Sequence, residues 1–481
     1  MRRLIFLRAS IALFLSVGLA SAQTAAPLTE WSLPNANFRP TGITVDSFGM
    51  VYFLEGAFFP FGGRIGRLDP ATNTLTEWQV PSPGNFAFSR IFAAADGQIF
   101  YANSGSFSSV TRFDPATSVL TRWPANRFFD VNDLGVDTSD PENPLVWVVG
   151  IGSTFPRLDL AKNEYEVFNV RPAGVGFQIE VDADGVVWST SQAAALLRFD
   201  PKSGQRIIYA DCQIGPGCAS GQLALKGALA IRLDEDGKVV VSETGLGPLP
   251  GPSKIGIFDP AASVITEYAV PTPDSRVNSL AVADTGIFFA EADGNKVARL
   301  DPTVATGTDT ELFADVATIT SRLVPQAPVF SSLTPVDSQL TPTVTDVTSS
   351  VTNGFEEFAV PTDMSSPQGI VVAGCSVFFT ESLGQKVGRL KIPPESPLRK
   401  LKHKVGRMAG KFALSEAQAR SLNEKLEEAS YFFAFQNAGG AAVVLRSFMD
   451  EVSELIQAGA VPPSEGHALL TATGNIVHFC N

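Results

Sequence analysis

Four glutamates stand at matching places in this chain of 481 residues: Glu55, Glu243, Glu291 and Glu381. Each closes a short apolar run, as in Val51-Tyr52-Phe53-Leu54-Glu55 and Val377-Phe378-Phe379-Thr380-Glu381. Carboxylates that recur at one structural position can gather around a hard cation, and Mg2+ or Ca2+ would suit such oxygen ligands. The rival reading makes the glutamate part of a repeat template, hydrogen-bonded to neighbouring backbone. Histidine is absent from this part of the chain. His403, His467 and His478 all lie after the apolar runs have ended.

The elements that position these glutamates are repeats. A strand ending in Arg-Leu-Asp-Pro or a close variant recurs at Arg67–Pro70, Arg112–Pro115, Arg157–Asp159, Arg198–Pro201, Ile257–Pro260, Arg299–Pro302 and Arg389–Leu390. The first three intervals are 45, 45 and 41 residues, the length of one four-stranded propeller blade. Upstream of each copy lie runs such as Gly42–Asp46 and Val51–Glu55; downstream lies a run such as Leu75-Thr76-Glu77-Trp78. β-Branched and aromatic residues punctuated by Gly, Asp and Pro read as strands and turns. A downstream-type strand, Leu28–Leu33, precedes the first full repeat, and none follows Leu390. The simplest account closes the seventh blade with Leu28–Leu33 and leaves no open edge. The expected fold is an all-β seven-bladed β-propeller over residues 23–393. Glu55, Glu243, Glu291 and Glu381 then fall in contiguous blades, on one side of the channel. The repeat arginines are expected to pair with blade-edge carboxylates, and Trp31, Trp78 and Trp123 to pack on outer strands.

Residues 303–354 interrupt the pattern with Ser, Thr, Val and Pro, and read as an excursion from the ring, partly disordered. Thr310–Phe313 and Phe355–Phe358 compete as the outer strand beside it. After Pro393-Pro394 the period changes to about 3.6. Ser415 with Gln418 makes a capping box, and stripes such as Leu422, Leu426 and Ala429 follow. Residues 394–481 therefore form a small C-terminal α-helical domain of three or four helices. A basic run from Arg399 to Arg407 is expected to be a solvated linker or helix face.

Arg2 and Arg3, the apolar stretch Ile11–Leu19 and the small residues Ala20-Ser21-Ala22 form an export signal over residues 1–22. The mature protein is then periplasmic or extracellular. No later segment reaches 18 apolar residues, so no transmembrane helix is expected. Export permits disulfides. Cys212 and Cys218 bracket a Gly/Pro-rich turn and are expected to pair; a Cys375–Cys480 bond stays open. A net charge of −13 disfavours nucleic acid as a partner.

The repeat text resembles the virginiamycin B lyase family of streptogramin-opening propellers. The resemblance rests on Thr266–Arg276, Val377–Glu381 and Lys386-Val387-Gly388-Arg389-Leu390, and covers Leu28 to Leu390 apart from the insertion. It implies elimination assisted by a glutamate-held metal, with a histidine as base. By that resemblance the metal-binding glutamate corresponds to Glu381, a second glutamate to Ser366 and the base to Gln368. Glutamine cannot take up a proton, and losing a general base costs about 10²–10⁴-fold in rate. The slot that holds the family histidine carries Thr41, Ser89, Asn132, Phe177, Leu229, Asn278 and Gln368 around the ring; its polar members are candidate channel-lining residues. The helical segment resembles the FIMAH domain, which implies an accessory role. Two functions follow. One is a monomeric binding or interaction scaffold for a small molecule, peptide or glycan. The other is a metal-dependent lyase or lactonase-like hydrolase working through the channel carboxylates.

Overall fold

A computed structural model describes residues 25–481 except 36, 57–61, 82–89, 95, 105–107, 126–130, 138–143, 151–153, 171–175, 183, 192–194, 211–227, 235, 244–251, 284, 394, 412–413 and 481. The expected signal 1–22, the Cys212–Cys218 pair and Ser89 lie outside the described residues. Strands run from Ala25 to Lys391, and four helices follow.

The unit of the fold is an antiparallel group of four strands. Arg39–Val45, Val51–Gly56, Gly63–Asp69 and Thr74–Val80 form one such group, from the inside of the ring outward. Second strands are buried along nearly their whole length, which is why they read as unbroken apolar runs. The Arg-Leu-Asp-Pro element ends the third strand and folds the turn to the fourth. Asp69 accepts the Ala71 N–H at 2.9 Å and the Thr72 hydroxyl at 2.7 Å, and Asn73 completes the turn at φ 58°. Asp114, Asp159, Asp200 and Asp259 cap their turns through the same backbone bond.

The arginines of this element correct the expectation made for them. Arg67, Arg112, Arg198 and Arg389 lie 5.3–5.9 Å from the rings of Trp78, Trp123, Trp188 and Trp31. A weakly hydrated guanidinium stacks well on an indole face, and this geometry wins over a carboxylate in four groups. Arg299 does pair with Glu356, at 3.2 Å, and Arg157 with Glu166. The tryptophans do more than fill space. Trp31, Trp78 and Trp123 each donate their indole N–H to the third-to-fourth-strand turn of the next group: Asn73, Ser118 and Asn163, at 2.9–3.0 Å.

Successive groups pack side by side, and the group of Pro367–Ala373 packs back against that of Arg39–Val45. Ala25–Ser32 supplies the outer strand of the last group, with Leu28 opposite Leu390 and Ser32 opposite Lys386.

Residues 308–352 are no excursion. They form a belt that adds a further strand to the outer edges, running against chain order. Thr308–Glu311 pairs with Val264–Ala269, Phe313–Thr318 with Gln205–Ala210, and Ser321–Pro325 with Glu164–Asn169. Val329–Ser332 pairs with Val119–Pro124, and Pro335–Gln339 with Thr74–Val80. Pro342–Thr352 then pairs with both Ala25–Ser32 and Phe355–Ala359, fusing two four-stranded groups into one nine-stranded sheet. Phe355–Ala359 is thereby the outer strand on Lys296–Leu300, and Thr308–Glu311 serves the preceding group. The belt advances one group every seven residues. The N–H groups of Leu312, Ile319, Gln326, Leu333 and Leu340 each donate to the carbonyl of a turn residue: Ser263, Gly204, Asn163, Ser118 and Asn73. Seven extended residues cover roughly 23 Å, one step from edge to edge. The physical cause is the open edge itself, a row of unpaired N–H and C=O groups that a β-prone Thr/Val-rich segment can satisfy.

Among the described residues there are four helices, all after the strands: α1 (Glu395–Lys411), α2 (Glu416–Ala434), α3 (Ala438–Gln457) and α4 (Pro463–Phe479). The Ser415–Gln418 capping box starts α2. The basic run lies on α1, whose Leu398, Leu401, Val405 and Met408 are buried in the helical core. α4 docks on the turns that follow the inner strands. Phe479 meets Phe378 at 5.1 Å, the His478 ring lies over Gly49, and Cys480 is disulfide-bonded to Cys375. Gly49 is required there, because its φ is 81° and an added Cβ would stand 3.0 Å from the imidazole.

Candidate functional site

Glu243, Glu291 and Glu381 end second strands, Glu55 stands one residue before the end of its own, and all four are at most 1% exposed. Each lies opposite a cation on the third strand of its own group: Arg64, Lys254, Lys296 and Lys386. That cation binds a second glutamate on the fourth strand. Arg64 reaches Glu77 at 2.9 Å, Lys254 reaches Glu267 at 2.8 Å, Lys296 reaches Glu357 at 2.9 Å and Lys386 reaches Glu30 at 3.4 Å. A threonine closes two of these sets, Thr272 donating to Glu357 at 2.7 Å and Thr362 to Glu30 at 2.6 Å.

The electrostatics assign the protons. Burial first, and the Glu30 carboxylate second, push the Glu381 carboxyl up to about 8. Glu291 rises to about 8 through burial and Glu357, and Glu55 to about 8 through burial and Glu77. Burial alone would raise Glu357 as well, but hydrogen bonds from Thr272 and Lys296 hold it below the usual carboxylate range. At neutral pH burial and the neighbouring glutamate thus favour the protonated form of Glu55, Glu291 and Glu381. In the group that follows that of Glu55, Asn103 takes the glutamate's place and donates to Ser109 and Thr111 at 3.1 and 3.0 Å.

The four glutamates are thus tied into their own sheets. Among the described residues no three metal-binding side chains converge. Both carboxyl oxygens of Glu291 and of Glu381 are buried and accept no hydrogen bond.

The other candidate slot behaves differently. Asn278 donates to Gln368 at 2.9 Å, and Gln368 donates to Ser366 at 3.1 Å. Ser366 sits at φ 52° and is 7% exposed. Thr41 instead donates to the Leu54 carbonyl at 3.4 Å and Asn132 to the Gly176 carbonyl at 3.0 Å. Phe177 and Leu229 are half-buried.

The ring interior also holds a charged lattice that the repeat alignment does not single out. Arg90 reaches past the neighbouring sheet to the Ile179 carbonyl at 2.8 Å and to Glu180 at 2.7 Å. Arg232 approaches Glu180 at 3.6 Å from the other side. Asp133, fully buried beneath, accepts the Ile179 N–H at 3.1 Å. Burial pushes Asp133 up to about 6 against the pull of Arg90. Burial and then Arg90 lower Arg232 to about 10. The signal was present as polar residues in or beside inner strands, at Arg90, Gln178, Glu180 and Arg232, but nothing local marks them as mutual partners.

Three solved structures resemble this architecture. A catalytically inactive histidine-to-alanine variant of virginiamycin B lyase from Staphylococcus aureus, with quinupristin, aligns at TM-score 0.54 and 19% identity. The alignment covers 76% of this chain and 99% of that one. A streptogramin B lyase aligns at 0.54 and 18%, covering 76% and 97%. Selenomethionine-substituted virginiamycin B lyase from Staphylococcus aureus aligns at 0.52 and 18%, covering 76% and 99%. The fold is that of a β-propeller. Identity this low carries the fold and nothing of the chemistry. No family model matches the chain, and no curated protein matches it.

Proposed function

We propose that this chain is an exported seven-bladed propeller that binds a ligand at the mouth of its ring opposite the helices and does not open streptogramins. The observation that carries this reading is Gln368. It occupies the position that the lyase resemblance gives to the base, and its amide is engaged by Asn278 and Ser366. The solved lyase variant is inactive after loss of a histidine. Here the three histidines belong to the helical segment. That segment packs on Gly374, six residues along the strand from Gln368 and so roughly 20 Å away. That mouth offers Asn278, Gln368 and Thr41, amide and hydroxyl groups suited to a neutral polar ligand such as a glycan or peptide. The helical segment, FIMAH-like in its pattern, acts as an accessory cap.

Two measurements test the reading. Incubation with quinupristin and Mg2+ should give no ring opening above the protein-free rate; turnover that disappears in Glu381→Ala would replace it with the metal-dependent lyase. Calorimetric titration with Mg2+, Ca2+ and Mn2+ should give the same null result for the wild type and Glu381→Ala. A saturable heat lost in the variant would restore the metal site.

A further inference from the structure

Residues 301–354 leave one four-stranded group and come back to the same group. They set out from the end of Lys296–Leu300 and return as Phe355–Ala359, its neighbour in the sheet. In between, the belt pairs with the outer strand of every other described group. Its two ends are clasped together. The Asp301 N–H donates to the Gly354 carbonyl at 2.9 Å and the Thr306 N–H to Asn353 Oδ1 at 3.0 Å, while the Asn353 amide donates back to the Thr306 carbonyl at 3.3 Å. Gly354 suits this clasp, because its φ is 76° and an added Cβ would stand 2.7 Å from the Ala305 Cβ. Chain and clasp make a closed hoop around the ring.

The hoop has almost no slack. Each seven-residue step already covers roughly 23 Å and can stretch to about 25 Å at most. A belt strand that frays therefore leaves the hoop short and covalently continuous. The ring has a seam that such a hoop would guard. Its first strand, Ala25–Ser32, meets its last, Lys386–Lys391, with no peptide link between them. The belt carries its longest strand there: Pro342–Thr352, of 11 residues, pairs with Ala25–Ser32 on one edge and with Phe355–Ala359 on the other.

We infer that the belt is a tension hoop, which keeps the ring shut at this seam from the whole circumference, so that the ring unfolds only once the hoop has been released. The device is independent of what the mouth binds.

Lengthening the hoop tests the inference. A seven-residue Gly/Ser insertion after Ala327 or after Thr341, both exposed and between belt strands, adds roughly 23 Å of slack. In an ordinary surface loop such an insertion changes stability by no more than about threefold. In the hoop, each should raise the unfolding rate in denaturant by about tenfold or more, and the two by similar factors. Both should also quicken hydrogen exchange at Leu28–Ser32, although Ala327 lies between the strands on Glu164–Asn169 and Val119–Pro124, away from the seam. Three-residue insertions, with roughly 10 Å of slack, should give a smaller rise and cover the case in which the longer ones do not fold. The seven-residue insertion after Gln436, between α2 and α3 and outside the hoop, should alter the rate by less than about threefold. Unfolding rates within that margin for both folded belt variants overturn the hoop. So does faster exchange confined to the strands beside each insertion, which would make the belt a row of independent edge strands.

Discussion

Ring strands and belt strands share one antiparallel ladder yet draw on opposite sequence patterns. Val51–Gly56 is buried almost throughout, whereas Phe313–Thr318 is exposed at five of six positions. Phe313, Leu323, Phe330, Val336 and Val344 are all more than half exposed. The ring therefore gains its stability from two buried faces, and the belt from backbone pairing plus sparse anchors such as Leu312, Leu333 and Val347. Strand formation requires an edge and a β-prone segment; face burial is a separate matter. Substitutions that act on faces should hurt the ring and spare the belt, and this asymmetry can be measured.

The largest difference is expected at the closure. Trp31 is 1% exposed, stacks with Arg389 and bonds to Asn73, so Trp31→Ala should cost about 3–5 kcal/mol in denaturant unfolding. Val336→Ala, on a belt residue 59% exposed, should change stability by no more than about 0.5 kcal/mol. Similar losses at both positions would mean that the belt buries its faces in solution. Next in size is the cap. The Cys375–Cys480 bond closes a sequence separation of 105 residues, and replacing both cysteines with serine should cost about 2–4 kcal/mol. Thermal unfolding should then separate an early helical transition from that of the ring; a single unshifted transition would mean that apolar contacts such as Phe378–Phe479 suffice.

What the sequence carried legibly follows from the same contrast. Asp69, Asp114, Asp159, Asp200 and Asp259 recur because a side-chain carboxylate must fold each turn, so the blades announce themselves. The Ser415–Gln418 cap is equally local. The belt escaped because its seven-residue period, Leu312, Ile319, Gln326, Leu333 and Leu340, marks backbone bonds to turns and not an apolar face. Composition alone made it look unstructured. At the candidate site, the glutamate positions were visible but their partners were not. Glu77 and Glu357 stand on fourth strands, and Glu30 lies at the far end of the chain from Glu381. Only the register of three strands brings each pair to one place in its sheet.

Those buried carboxyls give the ring a pH dependence. Glu55, Glu291 and Glu381 have folded-state values near 8, above the usual 4.5. The native state thus binds more protons than the unfolded chain between about 4.5 and 8, so stability falls as pH rises through that window and levels above it. Glu381→Gln keeps a neutral side chain. It should match the wild type near pH 5 and exceed it above pH 8 by on the order of a few kcal/mol. A variant destabilised equally at both pH values would show that Glu381 is ionised in the native state.

A smaller effect than that of the cap should lie where belt meets ring through charge. Arg206 is 3% exposed, and its guanidinium reaches Asp315 at 2.6 Å across the belt ladder, while the Asp315 side chain is about half exposed. Asp315→Ala removes an inexpensive surface group but strips a buried cation of a carboxylate, which should cost about 1–3 kcal/mol. The loss should be local, because the backbone bonds of Phe313–Thr318 to Gln205–Ala210 do not involve that side chain. Hydrogen exchange should quicken at those belt amides by tenfold or more per ~1.4 kcal/mol lost, while Leu196–Phe199 in the same sheet keeps its protection. Equal acceleration in both strands would mean that belt and ring open together, and that an edge strand without buried faces is nonetheless an integral part of the cooperative unit.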